Sequence, residues 1–409
     1  MKVLVLNCGS SSVKFQLLET GGQEVAQEDR VLARGLVDSI GGPALLRLDI
    51  PGRAPFRETA EILDHKVAVE RALDLLAGGE TAVLKDRREV EAVGHRVVHG
   101  GERFRTSVLI DDLVLRGIEE CFELAPLHNP PNVKGYRAAR ELLPDVPQVA
   151  VFDTSFHQSM PKAAFLYALP YVLYERHGIR RYGFHGTSHR FVSRRLAALL
   201  GRADDPGLRM ITCHLGNGCS VAAVRGRHSI DTSMGFTPLE GLVMGTRSGD
   251  LDPAILLHVM AKEELAPAEL SALLNKHSGL LGVSGHSNDM RTLLEAEAQG
   301  QARAGLAVDV FCYRLRKYIA AYVGALGGLD GLAFAGGIGE NAPAIRERAL
   351  VGLEAVGLII DPERNASARG IEADLSAAGT RARVFVVPTN EELLIAHDTF
   401  AIVSGLAPA

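Results

Sequence analysis

The chain has 409 residues, a mass of 43.8 kDa and 47% hydrophobic content, which suits roughly two to three domains with cores of their own and excludes a disordered chain. A net charge of −5 and a pI near 6.3 argue against a sequence-independent nucleic-acid binder, which carries a basic excess. Cys8, Cys121, Cys213, Cys219 and Cys312 are scattered without a C-x-x-C pair, so neither a disulfide framework nor a zinc knuckle is indicated. No stretch approaches the roughly 20 apolar residues of a membrane span, and the expected setting is soluble, in a reducing cytoplasm.

The first predicted elements are two strands. An apolar run from Lys2 to Leu6 breaks at Asn7-Cys8-Gly9-Ser10-Ser11-Ser12 and resumes as alternating Val13, Phe15 and Leu17, the pattern of a hairpin. Small residues there leave backbone and hydroxyl donors uncovered, and Lys14 adds a charge opposite its apolar neighbours. A phosphate-gripping hairpin and an ordinary small-residue surface turn both fit. Further strands are predicted at Val149 to Phe152, Met210 to Cys213, Leu332 to Ala335 and Val384 to Val387, alternating with helical patterns as in an α/β chain. Val308, Cys312, Leu315, Ile319, Tyr322 and Leu326 recur at helical spacing up to Gly327-Gly328. The segment Met210 to Val221 repeats the opening plan of apolar run, polar turn and second strand, which suggests a duplicated domain with a ligand cleft between the copies. A boundary near Asp153-Thr154 follows. Thr389 is the expected cap of a final helix, with Glu392 as its reciprocal partner, which leaves Glu391 without a structural duty.

Common nucleotide signatures are missing. There is no G-x-x-x-x-G-K-[ST], and Gly337-Ile338-Gly339-Glu340-Asn341-Ala342 lacks the third glycine of the dinucleotide fingerprint, which disfavours a dinucleotide-dependent oxidoreductase. Instead, Gly-rich turns follow strands at Asn7 to Ser12, His214 to Gly218 and Gly336 to Asn341, and three such turns converging would cradle a triphosphate with backbone donors. Arg96 and Arg247 sit in glycine-rich loops, where a planar guanidinium can clamp carboxylate or phosphoryl oxygens, although most arginines are simply solvated. His185 and His189 have a spacing a helical zinc site could use. Gly186 and the missing Glu-x-x pattern argue against metal, and a donor at a transferring group suits His185 better. Asp153 ends a strand, where α/β proteins place catalytic groups, whereas Asp252 before Pro253 reads as an N-cap. Asn365-Ala366-Ser367 matches a glycosylation sequon by chance.

Assembled, these segments resemble the acetate kinase family from end to end. The resemblance is carried by Asn7 to Lys14, Gly94 to Gly101, Phe152 to His157, Tyr182 to His189, His214 to Gly218, Asp231 to Gly235, Gly245 to Asp250, Gly337 to Asn341 and Pro388 to Glu392. It implies two duplicated actin-like (ribonuclease H-like) α/β domains with a nucleotide cleft between them, residues 1–154 plus a returning 388–409, and 155–387 for nucleotide binding and dimerisation. It also implies a homodimer acting on acetate and ATP, with ADP and acetyl phosphate as products, with magnesium or manganese as cofactor and no membrane or nucleic-acid partner. Asn7 and Glu391 would place the metal, and Arg96, Arg247, His185 and Asp153, the family's catalytic acid, would carry the reaction. Lys14, His214, Leu215, Gly216, Asn217, Gly218, Asp289, Met290, Arg291, Gly337, Ile338, Gly339, Glu340 and Asn341 would contact the nucleotide. Arg96, Val98, Leu127, Phe184 and Pro238 would bind the acyl substrate. Because acetate is already ionised at neutral pH, a general base has little to remove, and Asp153 fits better as an orienting group. Domain closure should accompany turnover. The rivals are a propionate or other short-chain acyl kinase, and a nucleotide-driven conformational module without an acyl acceptor.

Overall fold

The opening apolar run forms strand β1 (Lys2–Cys8), which pairs antiparallel with β2 (Ser12–Glu19). The turn between them is closed by the Gly9 N–H donating to Ser12 O at 2.8 Å. This is a computed structural model, and it describes residues 1–22 and 29–407. The last two residues of the expected returning segment lie outside the described residues. Strands β3 (Arg30–Asp38), β4 (Gly42–Asp49), β5 (Phe56–Ile62), β6 (Ala92–Val97), β7 (Val108–Leu109) and β8 (Gln148–Phe152) complete an eight-stranded sheet in the order β5-β4-β3-β2-β1-β6-β8-β7. Strands β6 and β8 continue from β1 in parallel, and all five residues of β8 are buried, as a parallel strand covered on both faces requires.

One face of this sheet packs Leu4, Leu6, Phe15 and Leu17 against Ala68, Val69, Leu73 and Leu76 of the helix His65–Ala77. Gly94 of β6 meets the final helix, Glu391–Val403. A Cβ at Gly94 would lie 2.5 Å from Thr399 Oγ1 and 2.7 Å from Ile395 Cγ2, so the absence of a side chain two residues before Arg96 lets that helix lie directly on the sheet. Its cap is Asn390, whose side chain accepts from the Leu393 N–H. The expected cap, Thr389, lies one residue too early because the chain turns helical only at Glu391.

The second sheet repeats the plan. Strands β9 (Arg209–Leu215), β10 (Cys219–Arg225), β11 (His228–Thr232), β12 (Gly331–Ala335), β13 (Ala373–Asp374) and β14 (Arg383–Val386) run in the order β11-β10-β9-β12-β14-β13. Thus β3-β2-β1-β6-β8 and β11-β10-β9-β12-β14 share order and direction, three antiparallel strands followed by two parallel ones. Even the hairpin registers agree, with Asn7 opposite Lys14 and His214 opposite Ser220, each pair one step inside its turn. The long helix Ala302–Leu326 buries Val308, Cys312, Leu315, Ile319, Tyr322 and Leu326 and ends at Gly327 with φ 68°, a left-handed position suited to glycine. Contacts divide the chain into two compact units, Met1–Phe156 with Asn390–Ala409, and His157–Thr389.

Candidate active site

In the first unit, neighbouring strands bring polar groups to one end of the sheet. Asn7 on β1 and Lys14 on β2 are directly opposite, Arg96 lies on β6, and Asp153 follows the last residue of β8, where parallel strands present their carboxyl ends. The Arg96 Nε and Nη2 donate to the two Asp153 carboxylate oxygens at 3.0 and 2.6 Å, and Nη1 reaches Asn7 Oδ1 at 3.4 Å. Asp153 is 1% exposed and Arg96 22%. Burial opposes the Arg96 charge, but the Asp153 carboxylate, with Glu391 and Glu392, outweighs it and raises the pKa. This bidentate pair fixes the guanidinium plane, and Nη1, which carries two hydrogens, keeps one beyond its contact with Asn7 for another ligand. Glu391 opens the final helix, half-buried, and its carboxyl is pushed up to about 7. Burial is the main cause, the Asp153 and Glu392 charges add to it, and Arg96 and Lys14 oppose it. An acyl-site candidate, Val98, is buried, and another, Leu127, is 71% exposed.

In the second unit, His185 precedes the helix Gly186–Leu199 with φ 56°, a left-handed conformation uncommon for a side-chain-bearing residue and common at functional sites. Its Nδ1 lies 2.9 Å from Ser220 Oγ. Arg247 sits on a loop whose carbonyls at Met244, Gly245 and Thr246 accept from the Leu280, Leu281 and Ser278 N–H groups. Its Nη1 donates to Pro238 O at 3.0 Å. Burial lowers the Arg247 pKa, and no carboxylate pairs with it among the described residues. A half-buried cation in that condition is unfavourable until an anion arrives. His185 and Arg247 meet at Gly218: a Cβ there would be 3.4 Å from His185 Nε2 and 3.6 Å from Arg247 Nη1. The missing side chain leaves a gap beside both nitrogens. Phe184, beside His185, is buried, and Pro238 is half-buried.

A cavity of about 900 Å³ in this unit is lined by Gly216, Asn217, Asp289, Met290, Arg291, Gly337, Ile338 and Asn341 among the expected nucleotide residues, and also by Asn288, Glu295 and Arg369. Asp289 caps the helix Met290–Ala298 and is held down to about 2, chiefly by its hydrogen bond from Arg291. The expected turn at Gly337 to Asn341 is a short helix, Gly336–Asn341. It starts at Gly336, φ 74°, where a Cβ would come within 2.9 Å of the Leu215 backbone, so the strand can bend into the helix only with glycine. His214, Leu215, Gly218, Gly339 and Glu340 lie outside the cavity lining: Leu215 and Gly339 are buried behind it, and Glu340 Oε1 accepts from the Gly336 and Thr389 N–H groups. Lys14 belongs to the first unit.

One residue of this site escapes sequence reasoning. Arg346 is fully buried, and its five donors go to Asn365 Oδ1 (Nε), the Gly339 and Glu340 carbonyls (Nη1), and the Asn365 and Ala368 carbonyls (Nη2), at 2.7 to 3.1 Å. It ties the short helix behind Gly337 to the segment carrying Arg369. Burial, with the Arg369 charge added, pushes it down to about 10, still charged at neutral pH. Asn365 of the sequon is spent on this network and is 2% exposed.

Duplicated α/β units with glycine-opened turns at their strand ends, a wide cavity and fixed cations define a phosphotransferase of the kinase class. The acetokinase family model matches residues 2–397. An acetate kinase of Desulfitobacterium hafniense is 53% identical over 404 residues, 98% of this chain and 99% of its own, and one of Treponema denticola is 52% identical, covering 98% and 100%. The crystal structure of Porphyromonas gingivalis acetate kinase has a TM-score of 0.94 at 47% identity, covering 98% and 99% of the two chains. That of a Francisella tularensis propionate kinase has a TM-score of 0.89 at 41% identity, covering 99% of each. The chain belongs to the acetokinase family.

Proposed function

We propose that this protein transfers the γ-phosphoryl group of ATP to acetate, reversibly, giving ADP and acetyl phosphate. The observation that carries the reading is the half-buried Arg247 guanidinium, without a carboxylate partner among the described residues, facing the same gap as His185. A carboxylate oxygen attacks the γ-phosphorus in line, the new O–P bond forms as the bond to the ADP oxygen breaks, and the electron pair leaves with ADP. No proton moves, because acetate is ionised at neutral pH. Arg96 grips the acetate carboxylate while Asp153 holds its fork in place. Arg247 and His185 meet the charge that spreads over the phosphoryl oxygens, and Val98, Leu127, Phe184 and Pro238 receive the methyl group. The nucleotide occupies the cavity bounded by Asn217, Asp289 to Arg291 and the Gly337 helix, with Lys14 assisting at the phosphates.

Asn7 and Glu391 offer the oxygen donors a hard cation prefers, and the Glu391 carboxyl, raised chiefly by burial and further by its acidic neighbours, is one that a cation would relieve. Among the described residues no cluster of three or more His, Cys, Asp or Glu side chains could hold a metal alone, which suits Mg²⁺ or Mn²⁺ arriving largely with phosphates. When bound, the ion supplies charge neutralisation at the transferring group.

The purified protein with MgATP, acetate and hydroxylamine should form acetyl hydroxamate. ATP binding without acetate-dependent ADP release would reject the reading in favour of a conformational module. A propionate kinase is the second reading, favoured by the Francisella tularensis relative. One methylene is worth only about 1 to 3 kcal/mol, so kcat/KM for acetate, propionate and butyrate decides. The helix Pro253–Lys262 (PAILLHVMAK) buries none of its residues and leaves Ile255 and Leu257 48% and 74% exposed, which supports a homodimer through the second unit; a monomer by light scattering contradicts it. Five free, buried cysteines, and no described helix long and apolar enough to cross a membrane, support a cytoplasmic setting.

A further inference from the structure

The side chains behind His185 form a chain of four groups. Thr212 Oγ1 lies 2.7 Å from His189 Nδ1, His189 Nε2 lies 2.7 Å from Ser220 Oγ, and Ser220 Oγ lies 2.9 Å from His185 Nδ1. Thr212, His189 and Ser220 are 0 to 1% exposed. The fold dictates the meeting. Ser220 is opposite His214 in the β9–β10 hairpin, Thr212 lies two residues before His214 on the same face, and His189 is one turn into the helix that His185 precedes.

Hydrogen positions follow from counting protons. Burial, with His157 and His214 beside it, drives the His189 pKa well down, so its ring is neutral and has one N–H and one lone pair. If His185 Nδ1 carried a proton toward Ser220 and the Ser220 O–H pointed to His189, then His189 would donate to Thr212, and the buried Thr212 hydroxyl proton would have no acceptor among the described residues. If both histidines donated to Ser220, its own proton would be stranded. Only one arrangement leaves none of the three buried side chains with a stranded proton: Thr212 O–H donates to His189 Nδ1, His189 Nε2–H donates to Ser220, and Ser220 O–H donates to His185 Nδ1. Because a buried donor left without an acceptor carries its full desolvation cost, this polarity prevails.

We propose that Thr212, His189 and Ser220 are positioning residues that lock His185 in the tautomer carrying its proton on Nε2, so that a neutral donor faces the gap beside Gly218. A proton on Nδ1 instead would aim a lone pair at an anionic phosphoryl group and repel it. The relay thus orients His185 without touching substrate, and its effect on rate rests on the phosphotransfer reading above.

The test uses the full-length protein with nitrogen-15 histidine, the His185 signals being assigned by their loss in His185→Asn. The expected spectrum has a pyridine-type Nδ1 and a pyrrole-type Nε2 at neutral pH; a protonated Nδ1 overturns the proposal, whatever the variants do. Ser220→Ala should give mixed tautomers and a roughly tenfold lower kcat, with KM for ATP and acetate within about twofold, and Ser220→Cys, which keeps a weak donor, should recover part of the rate. An unchanged kcat in Ser220→Ala, or a rise in both KM values with kcat intact, also overturns it. Failure of the wild type to form hydroxamate would reject the kinase reading while leaving the nitrogen spectrum to stand or fall alone.

Discussion

Gly218→Ala is the smallest change that fills the proposed phosphoryl gap. Gly218 does not need a left-handed backbone, and the new methyl would lie 3.4 Å from His185 Nε2 and 3.6 Å from Arg247 Nη1, ordinary contact distances that the fold can accept. Hydrogen bonds from those nitrogens to an oxygen need about 2.7 to 3.1 Å, and a methyl in contact with both donors shields them from that side. Loss of a whole preorganised donor costs about 2.7 to 4 kcal/mol. A shift that weakens two donors without removing either should cost about 1.4 to 2.7 kcal/mol, a 10- to 100-fold fall in kcat. The assay is hydroxamate formation at saturating ATP and acetate, with thermal unfolding alongside. A folded variant with kcat within twofold of wild type would show that the gap does not hold the transferring group.

Replacing Arg346 by Met strands the carbonyls of Gly339, Asn365 and Ala368 and leaves Glu340 O with the Gly370 N–H alone. It should destabilise the protein by on the order of 3 kcal/mol and raise KM for ATP more than KM for acetate; equal changes in both would deny Arg346 a role in shaping the nucleotide cavity. Asp153→Asn keeps the shape but removes the charge that grips Arg96, so KM for acetate should rise and kcat should fall at least about tenfold; near wild-type turnover would count against any catalytic contribution. His95, buried against Gln148, is pushed by burial from 6.5 down to about 4. The native state therefore takes up this proton later than the unfolded chain, and stability is complete above pH 6.5 and lost as pH falls toward 4, by up to about 3 kcal/mol. Urea midpoints should fall less steeply with acid in His95→Gln; an unchanged slope would refute the assignment.

Much of the fold and of the candidate site was legible in the sequence because glycine and charge punctuate apolar runs there. Arg96 and Arg247 stood out because they sit in segments too glycine-rich and polar for ordinary core, Asp153 because it ends a strand, and the two hairpins announced the duplication through their shared order. Strands β4 and β5 did not stand out, as an alternating sheet edge resembles many surface segments. Arg346 looked like any helical arginine, since its acceptors are backbone carbonyls fixed only by tertiary folding. The Asn390 cap lay one residue from the expected Thr389, because both side chains can cap and the sequence does not say where the backbone turns. Ser220 hid within an ordinary strand, its role set by a histidine 31 residues away.

The charge of Arg247 carries most of the proposed phosphoryl transfer. Arg247→Ala, with kcat measured by hydroxamate trapping and ATP affinity measured separately, should lose about 10² to 10³ in kcat while still binding ATP within about threefold of wild type. A loss under tenfold would contradict the claim that this half-buried cation stabilises the phosphoryl group in transfer.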